Sequence, residues 1–220
     1  MLRYLTLLFF LFILTDCKII HKSKFYNLEG GGSYIQPIDS KLKKSIQIVR
    51  FTHSFGVVFP AAYGKKLFAG NNWGADKGFF TPDSDLIKKI DKEINYQYCL
   101  AEDKFSEKYW GHFMHEARTD SIKPILSSEE RKIINEISVS SCLNWQRNFP
   151  YYDKQYIGYI SGTGDKVIYI KLIDFRQDPN KLQKFLFTSW IDGWHGWFYS
   201  NIRELYFNVS QNRLTISEKY

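Results

Sequence analysis

A chain of 220 residues that is 44% hydrophobic and 18% aromatic has enough apolar surface for a packed core, which excludes a disordered polypeptide. Its 30 basic and 23 acidic side chains leave a net charge of +7. The positive residues fall in short scattered groups (Lys41, Lys43 and Lys44; Lys65 and Lys66; Lys88 and Lys89; Arg131 and Lys132). That excludes a continuous track for a phosphate backbone, and with it a nucleic-acid partner, but allows weak attraction to anionic lipid or polysaccharide.

Residues 1–17 read as a secretory leader. Arg3 supplies the positive start, Tyr4 to Thr15 is almost unbroken apolar sequence, and Thr15-Asp16-Cys17-Lys18 ends it. The apolar core is about 12 residues, short of the roughly 20 that a spanning helix needs. Three fates fit. Leu14-Thr15-Asp16-Cys17 is similar to a lipobox, in which Cys17 is acylated and becomes the mature N-terminus; Asp16 departs from the small residue usual there. Cleavage after Cys17 by an ordinary signal peptidase is the second, and an uncleaved anchor the third. All three place the body outside the cytoplasm, with the membrane as partner through lipid or leader.

Residues 18–44 are polar around Glu29-Gly30-Gly31-Gly32-Ser33, and consecutive glycines cost too much backbone entropy for regular structure. They predict a tether. The glycines lack the Gly-Lys-Ser/Thr ending of a phosphate-binding loop. A single domain is expected over 45–217.

Within it, Ser45 to Phe59 alternates and is β-branched, predicting one or two strands. Turn-rich sequence follows to Phe80. Thr81-Pro82-Asp83-Ser84-Asp85 opens a helix, with Thr81 as the expected cap, and Leu86, Ile87, Ile90, Ile94 and Tyr98 mark its apolar stripe to about Leu100. Ser127-Ser128-Glu129-Glu130 starts a second helix running toward Trp145. Beyond Tyr151 the period becomes two. Gln155–Ile160 and Lys166–Ile173 flank Ser161-Gly162-Thr163-Gly164-Asp165 as a hairpin, and 186–191, 197–202, 205–209 and 214–217 are expected as further strands. Helices followed by an antiparallel meander predict an α+β fold.

Several of these segments together (Phe80-Thr81-Pro82, Tyr152 to Tyr159 with Val167-Ile168-Tyr169-Ile170, Asp192-Gly193, and Leu205 to Val209) resemble small uncharacterised envelope lipoproteins of Gram-negative bacteria. The resemblance implies a cystatin-like layout, in which an antiparallel sheet wraps a helix, and an envelope location; it implies no catalytic residue. Trp194-His195-Gly196-Trp197 departs from that group, where the first position tends to be small.

Four sets of residues invite chemistry. Cys99 and Cys142 both fall in predicted helices and form either a disulfide or two buried thiols. His112, His115 and Glu116 place two imidazoles and a carboxylate on one helix face, as a metal site or as a solvated turn; the His-Glu-x-x-His order of zinc proteases is absent. Trp190, Asp192, Trp194, His195, Trp197 and Tyr199 form the densest aromatic cluster, either core or a stacking surface for sugars. The alternation of a strand sets Trp197 opposite in parity to Trp190 and Trp194, so at least one indole is expected off the core face. Cys17 is the lipidation candidate. No cofactor motif is present, nor any Gly-x-Ser-x-Gly nucleophile elbow. The expected role is a non-catalytic binding or scaffolding protein of the envelope, partnered by polysaccharide or envelope protein. An exported, metal-dependent hydrolase and a carbohydrate-binding module are the alternatives.

Overall fold

The computed structural model describes residues 34–69, 75–116, 127–193 and 196–216, with the side chains of 109–116 outside the description. Its elements in chain order are β1 (Tyr34–Pro37), β2 (Gln47–Arg50), β3 (Phe55–Val58), α1 (Ala61–Leu67) and β4 (Phe79–Phe80). Then come α2 (Ser84–Glu116), α3 (Ser128–Asn148), β5 (Asp153–Ile160), β6 (Lys166–Ile173) and β7 (Ser189–Asp192). A short helix α4 (Trp197–Asn201), β8 (Ile202–Asn208) and β9 (Arg213–Ile216) complete it. This is an α+β fold. Seven strands form one sheet in the order β2-β3-β5-β6-β8-β9, with β4 paired to β5, while β1 and β7 form a separate two-stranded ribbon. Every pairing is antiparallel except β3 with β5.

That one parallel pair departs from a pure meander. Its cause is the connection: α1, β4, α2 and α3 all intervene between β3 and β5, so the chain can re-enter the sheet running the same way.

The central strands are buried on both faces. Tyr156, Ile168, Ile170, Leu172, Leu205 and Phe207 point toward the helices, meeting Ile87, Ile90, Ile94 and Tyr98 of α2 and Trp145 of α3. Leu86 packs against the same core and is only partly buried. Ile157 and Tyr169 point the other way, into Phe59, Tyr63, Leu67 and Trp190 beneath the ribbon and α1. Three layers result: a helical pair, a sheet and a ribbon.

Local chemistry moves several boundaries. The N-terminal cap of α2 is Asp83 instead of Thr81: the Asp83 carboxylate accepts the Leu86 N–H at 2.8 Å, while Thr81 Oγ1 accepts from Ala61 N. Ser127 caps α3 in a reciprocal box, with Ser127 Oγ accepting from Glu130 N and Glu130 Oε2 from Ser127 N. The folded body begins before the expected Ser45. Tyr34–Pro37 pairs with β7 and buries Ile35, and Ile38 is buried just beyond, so residues 34–44 belong to the body. The expected strand at 197–202 is instead α4 followed by the first residue of β8. Gly196 at φ +56° breaks the extended run, and the Ile202 N–H closes the helix onto the Phe198 carbonyl. Residues 186–188 precede β7 as a turn after a 3-10 segment, Leu182–Phe185.

Helices α2 and α3 run antiparallel, since Tyr98 meets Trp145, Cys99 meets Cys142 and Asp103 meets Ser138 in opposite order. Cys99 and Cys142 form a disulfide with Cα atoms 5.0 Å apart. No helix among the described residues is long and apolar enough to cross a membrane.

Candidate functional site

The 190–199 segment begins inside the protein. Trp190 is 0% exposed, edge-on to Phe59 and tilted against Tyr169. Its strand is fixed from below by Gln155, whose amide donates to the Leu186 and Ser189 carbonyls and accepts from Ile191 N at 2.9 Å. Trp190 is therefore a core residue, and no sugar can stack on it.

Asp192 is spoken for as well. Its carboxylate accepts from Lys171 Nζ and from the Gly193 N–H, and Lys171 also meets Glu204 at 3.2 Å. Lys171 is wholly buried, with the Trp190 ring centroid 5.4 Å from its ammonium. One cation thus ties β6, β7 and β8 together through two carboxylates. The reading of Asp192 as a free acceptor for ligand hydroxyls is corrected by this pairing.

After Asp192 the backbone presses on Phe198: a Cβ on Gly193 would lie 2.5 Å from the ring. Trp197 is half-buried, stacks on Phe175 with centroids 6.0 Å apart, and donates its indole N–H to the Gln177 carbonyl. Tyr199 is 54% exposed. Trp194 and His195 lie outside the described residues.

A second buried lysine sits on the helical side of the sheet. Lys154 Nζ, on a side chain 1% exposed, lies 3.4 Å from Asp91 Oδ1 on α2 and donates to Ser54 Oγ at 3.2 Å. The rings of Phe51 and Phe149 flank it, each centroid 4.5 Å away. Burial pulls the Lys154 ammonium below its ordinary value, and burial pushes the Asp91 carboxyl up. A strong ion pair in water would shift both groups the opposite way, so desolvation outweighs their mutual attraction here. Asp153 beside it is also raised by burial, against the hydrogen bonds it accepts from Phe55 N and Gln183. The Tyr156 and Tyr169 hydroxyls are driven well up by burial on the two faces.

Neither lysine was singled out by sequence. A signal existed for Lys171, which interrupts Val167-Ile168-Tyr169-Ile170 and Leu172-Ile173; Lys154 stands between Asp153 and Gln155 in the polar start of its strand and carried none. A cation inside a strand buried on both faces must carry its counter-charge with it.

The remaining candidates separate in space. His112, His115 and Glu116 stand in the last turns of α2, and their side chains lie outside the described residues. Cys17 does too. Among the described residues no three His, Cys, Asp or Glu side chains converge to hold a metal. Cys99 and Cys142 are joined, which settles the choice between bridge and separate thiols. A cleft of about 240 Å³ opens along the α2–α3 groove, lined by Asp103, Glu107, Arg131, Ile134, Asn135 and Ser138.

No family model, no curated protein and no solved structure matches this chain.

Proposed function

We propose that the chain is an exported, membrane-anchored envelope protein whose α+β body binds or scaffolds a partner. The observation that carries this reading is the Cys99–Cys142 disulfide. Bridges persist in oxidising compartments, and this one stands behind a leader-like N-terminus in the same chain. The packing of α2 across antiparallel strands supports a cystatin-like layout. The polar groups closest to catalytic potential, Lys154 with Asp91 and Lys171 with Asp192 and Glu204, are engaged with one another inside the protein, which supports a structural use for them.

Two measurements on cells test the reading. Wild type should fractionate with membranes and Cys17→Ser should be released; equal fractionation refutes acylation at Cys17. Cys99 and Cys142 should resist alkylation in intact cells until a reductant is added, and immediate labelling refutes export. The hydrolase alternative is tested by metal analysis of purified protein: stoichiometric zinc lost in His115→Ala would favour it over the non-catalytic role.

A further inference from the structure

Charge divides unevenly between the two sides of the sheet. Residues 34–69, which supply β1, β2, β3, α1 and the turns between them, carry six basic side chains (Lys41, Lys43, Lys44, Arg50, Lys65 and Lys66) against one acid, Asp39. The helical side is balanced: α2 as far as Lys108 has five basic side chains against six acidic, and α3 has three of each. Most of the net charge of +7 therefore sits in one short stretch of chain.

The fold gathers that stretch on the side of the sheet away from α2 and α3. Leu42 and Ile46 pack against the same core cluster as Tyr63 and Leu67 of α1, so the turn at 39–46 and α1 lie in one layer. The Asp39 carboxyl is held below its ordinary value by the hydrogen bond from the Lys41 N–H, and also by the charges of Lys66 and Lys41, which puts the turn beside α1. Gly64 presses on the sheet, since a Cβ there would meet Ile157 at 2.9 Å. Lys66 is two residues on, about 200° round the helix, and points away from the sheet into solvent. Val49 lies in the core beneath the helices, so Ile48 and Arg50 beside it in β2 point to the opposite, basic side. There Ile48 is 52% exposed, and Phe55, across from Arg50, is 38% exposed. Of the carboxylates that the strands turn to this side, Asp192 and Glu204 are held by buried Lys171, and Asp153 is itself buried. The turn at 178–184 adds Lys181 and Lys184 against Asp178.

Tyr34 opens β1 in this same layer, and residues 18–33 separate it from Cys17. A segment of that length reaches at most about 55 Å. Anchoring at Cys17 would therefore keep a bilayer within reach at high effective concentration, where a modest attraction suffices. Lysines with a few exposed apolar side chains among them are what an anionic bilayer surface attracts.

We propose that the side of the body bearing Lys41, Lys43, Lys44, Lys65 and Lys66 lies on the anionic surface of the membrane that holds the N-terminus. The proposal deepens the binding role and rests on the anchored reading, naming an anionic lipid surface as what is bound. Each lysine close to such a surface is worth roughly fivefold in occupancy, over a range of about 8 Å at physiological salt. The balanced helical side, a layer further off, contributes little.

The test places the purified full-length chain on vesicles of phosphatidylcholine alone or of an equal mixture with phosphatidylglycerol. Flotation with the neutral vesicles reads the anchor. A fluorescent amino acid at exposed Ala62, one turn from Lys65 and Lys66, reads docking by energy transfer to a dye on the lipid headgroups. Wild type should show strong transfer on anionic vesicles and weak transfer on neutral ones. At about 1 M salt, where screening acts within about 3 Å, the difference should vanish while the chain still floats. Lys65→Gln with Lys66→Gln should lower the ratio of docked to undocked body at least roughly tenfold. Lys104→Gln with Lys132→Gln, which removes the same charge from the helical side, should change it by less than about twofold. All four lysines are exposed, and an unchanged melting curve shows that the fold is kept. Equal transfer on both vesicle types overturns the proposal, as does an equal loss in the two double variants. So does retention on an anionic polysaccharide through Lys65 and Lys66 with no preference for anionic vesicles. A chain that fails to float with neutral vesicles refutes the anchor alone; flotation with anionic vesicles then reads docking, and Lys65→Gln with Lys66→Gln should weaken it by the same factor.

Discussion

Removing the disulfide should expose how lightly α3 is otherwise held. Only Ile134, Ser138 and Trp145 of its 21 residues are buried, so the Cys99–Cys142 bridge carries an unusual share of the attachment. The bridge closes a loop with a sequence separation of 43. The chain-entropy relation for that length gives about 4 kcal/mol at 25 °C. Residual helix in the unfolded hairpin lowers this to roughly 2–4 kcal/mol. Cys99→Ser with Cys142→Ser, which leaves no lone thiol, should therefore lower the urea midpoint by roughly 1–2 M at a slope of about 2 kcal/mol/M. Circular dichroism at the helical minimum follows both helices. Trp145 fluorescence follows the seam, because its ring stacks on Tyr98 at 3.6 Å between centroids. Reduced wild type should match the double variant. A midpoint displaced by less than about 0.3 M would refute the reasoning, and would mean that the α2–α3 contacts suffice without the bridge.

Three further outcomes follow from packing and charge. Asp91→Asn should cost about 3–5 kcal/mol in chemical denaturation by leaving Lys154 charged and buried, whereas Asp91→Asn with Lys154→Met should be neutral or more stable by about 1–4 kcal/mol. The pH dependence of that pair has a definite sign. Asp91 is raised, so its contribution is full below its unfolded value of 3.8 and is lost as pH rises through the raised value. Lys154 is lowered, so its contribution is full above 10.5 and is lost as pH falls through the lowered value. The gain of the double variant over wild type should therefore be largest between those limits, as a melting series from pH 4 to 10 would record. Gly193→Ala should cost about 1–3 kcal/mol by driving a methyl into the buried Phe198 ring, read as a lowered melting temperature. Ser127→Ala should cost about 1 kcal/mol by removing the reciprocal cap of α3, and Ser127→Asp should recover most of it.

Where local chemistry decides structure, the sequence was readable. The β5–β6 hairpin follows from alternation around a Gly-Asp turn, and the α3 start from Ser127 and Glu130, because each signal is closed within a few residues. Distant partners decide the rest. Tyr34–Pro37 has no strand signal of its own and is extended because β7 lies beside it. Trp197 to Asn201 reads as a strand by its aromatics, yet Gly196 turns the chain and Phe198 drops into the pocket over Gly193. The continuation of α2 past Leu100 is polar on most sides, and α3 lying alongside supports it. The aromatic cluster at 190–199 was visible; the ion network under it was not. Lys171 and its two carboxylates come from three strands that only the sheet order brings together.

The pairing of Tyr34 with Asp192 also sets the order in which the chain can become itself. The first described strand finds its partner only near the other end, and β3 must wait for β5 across both long helices. Contacts so remote in sequence make folding slow, because loop closure is paid for before any contact rewards it. A chain emerging N-terminus first therefore closes β2 on β3 locally but holds β1, and the edge of β3 that faces β5, open while α2 and α3 form on their own local signals. Those edges are the segments that a holding chaperone would have to shield until β5 and β7 arrive.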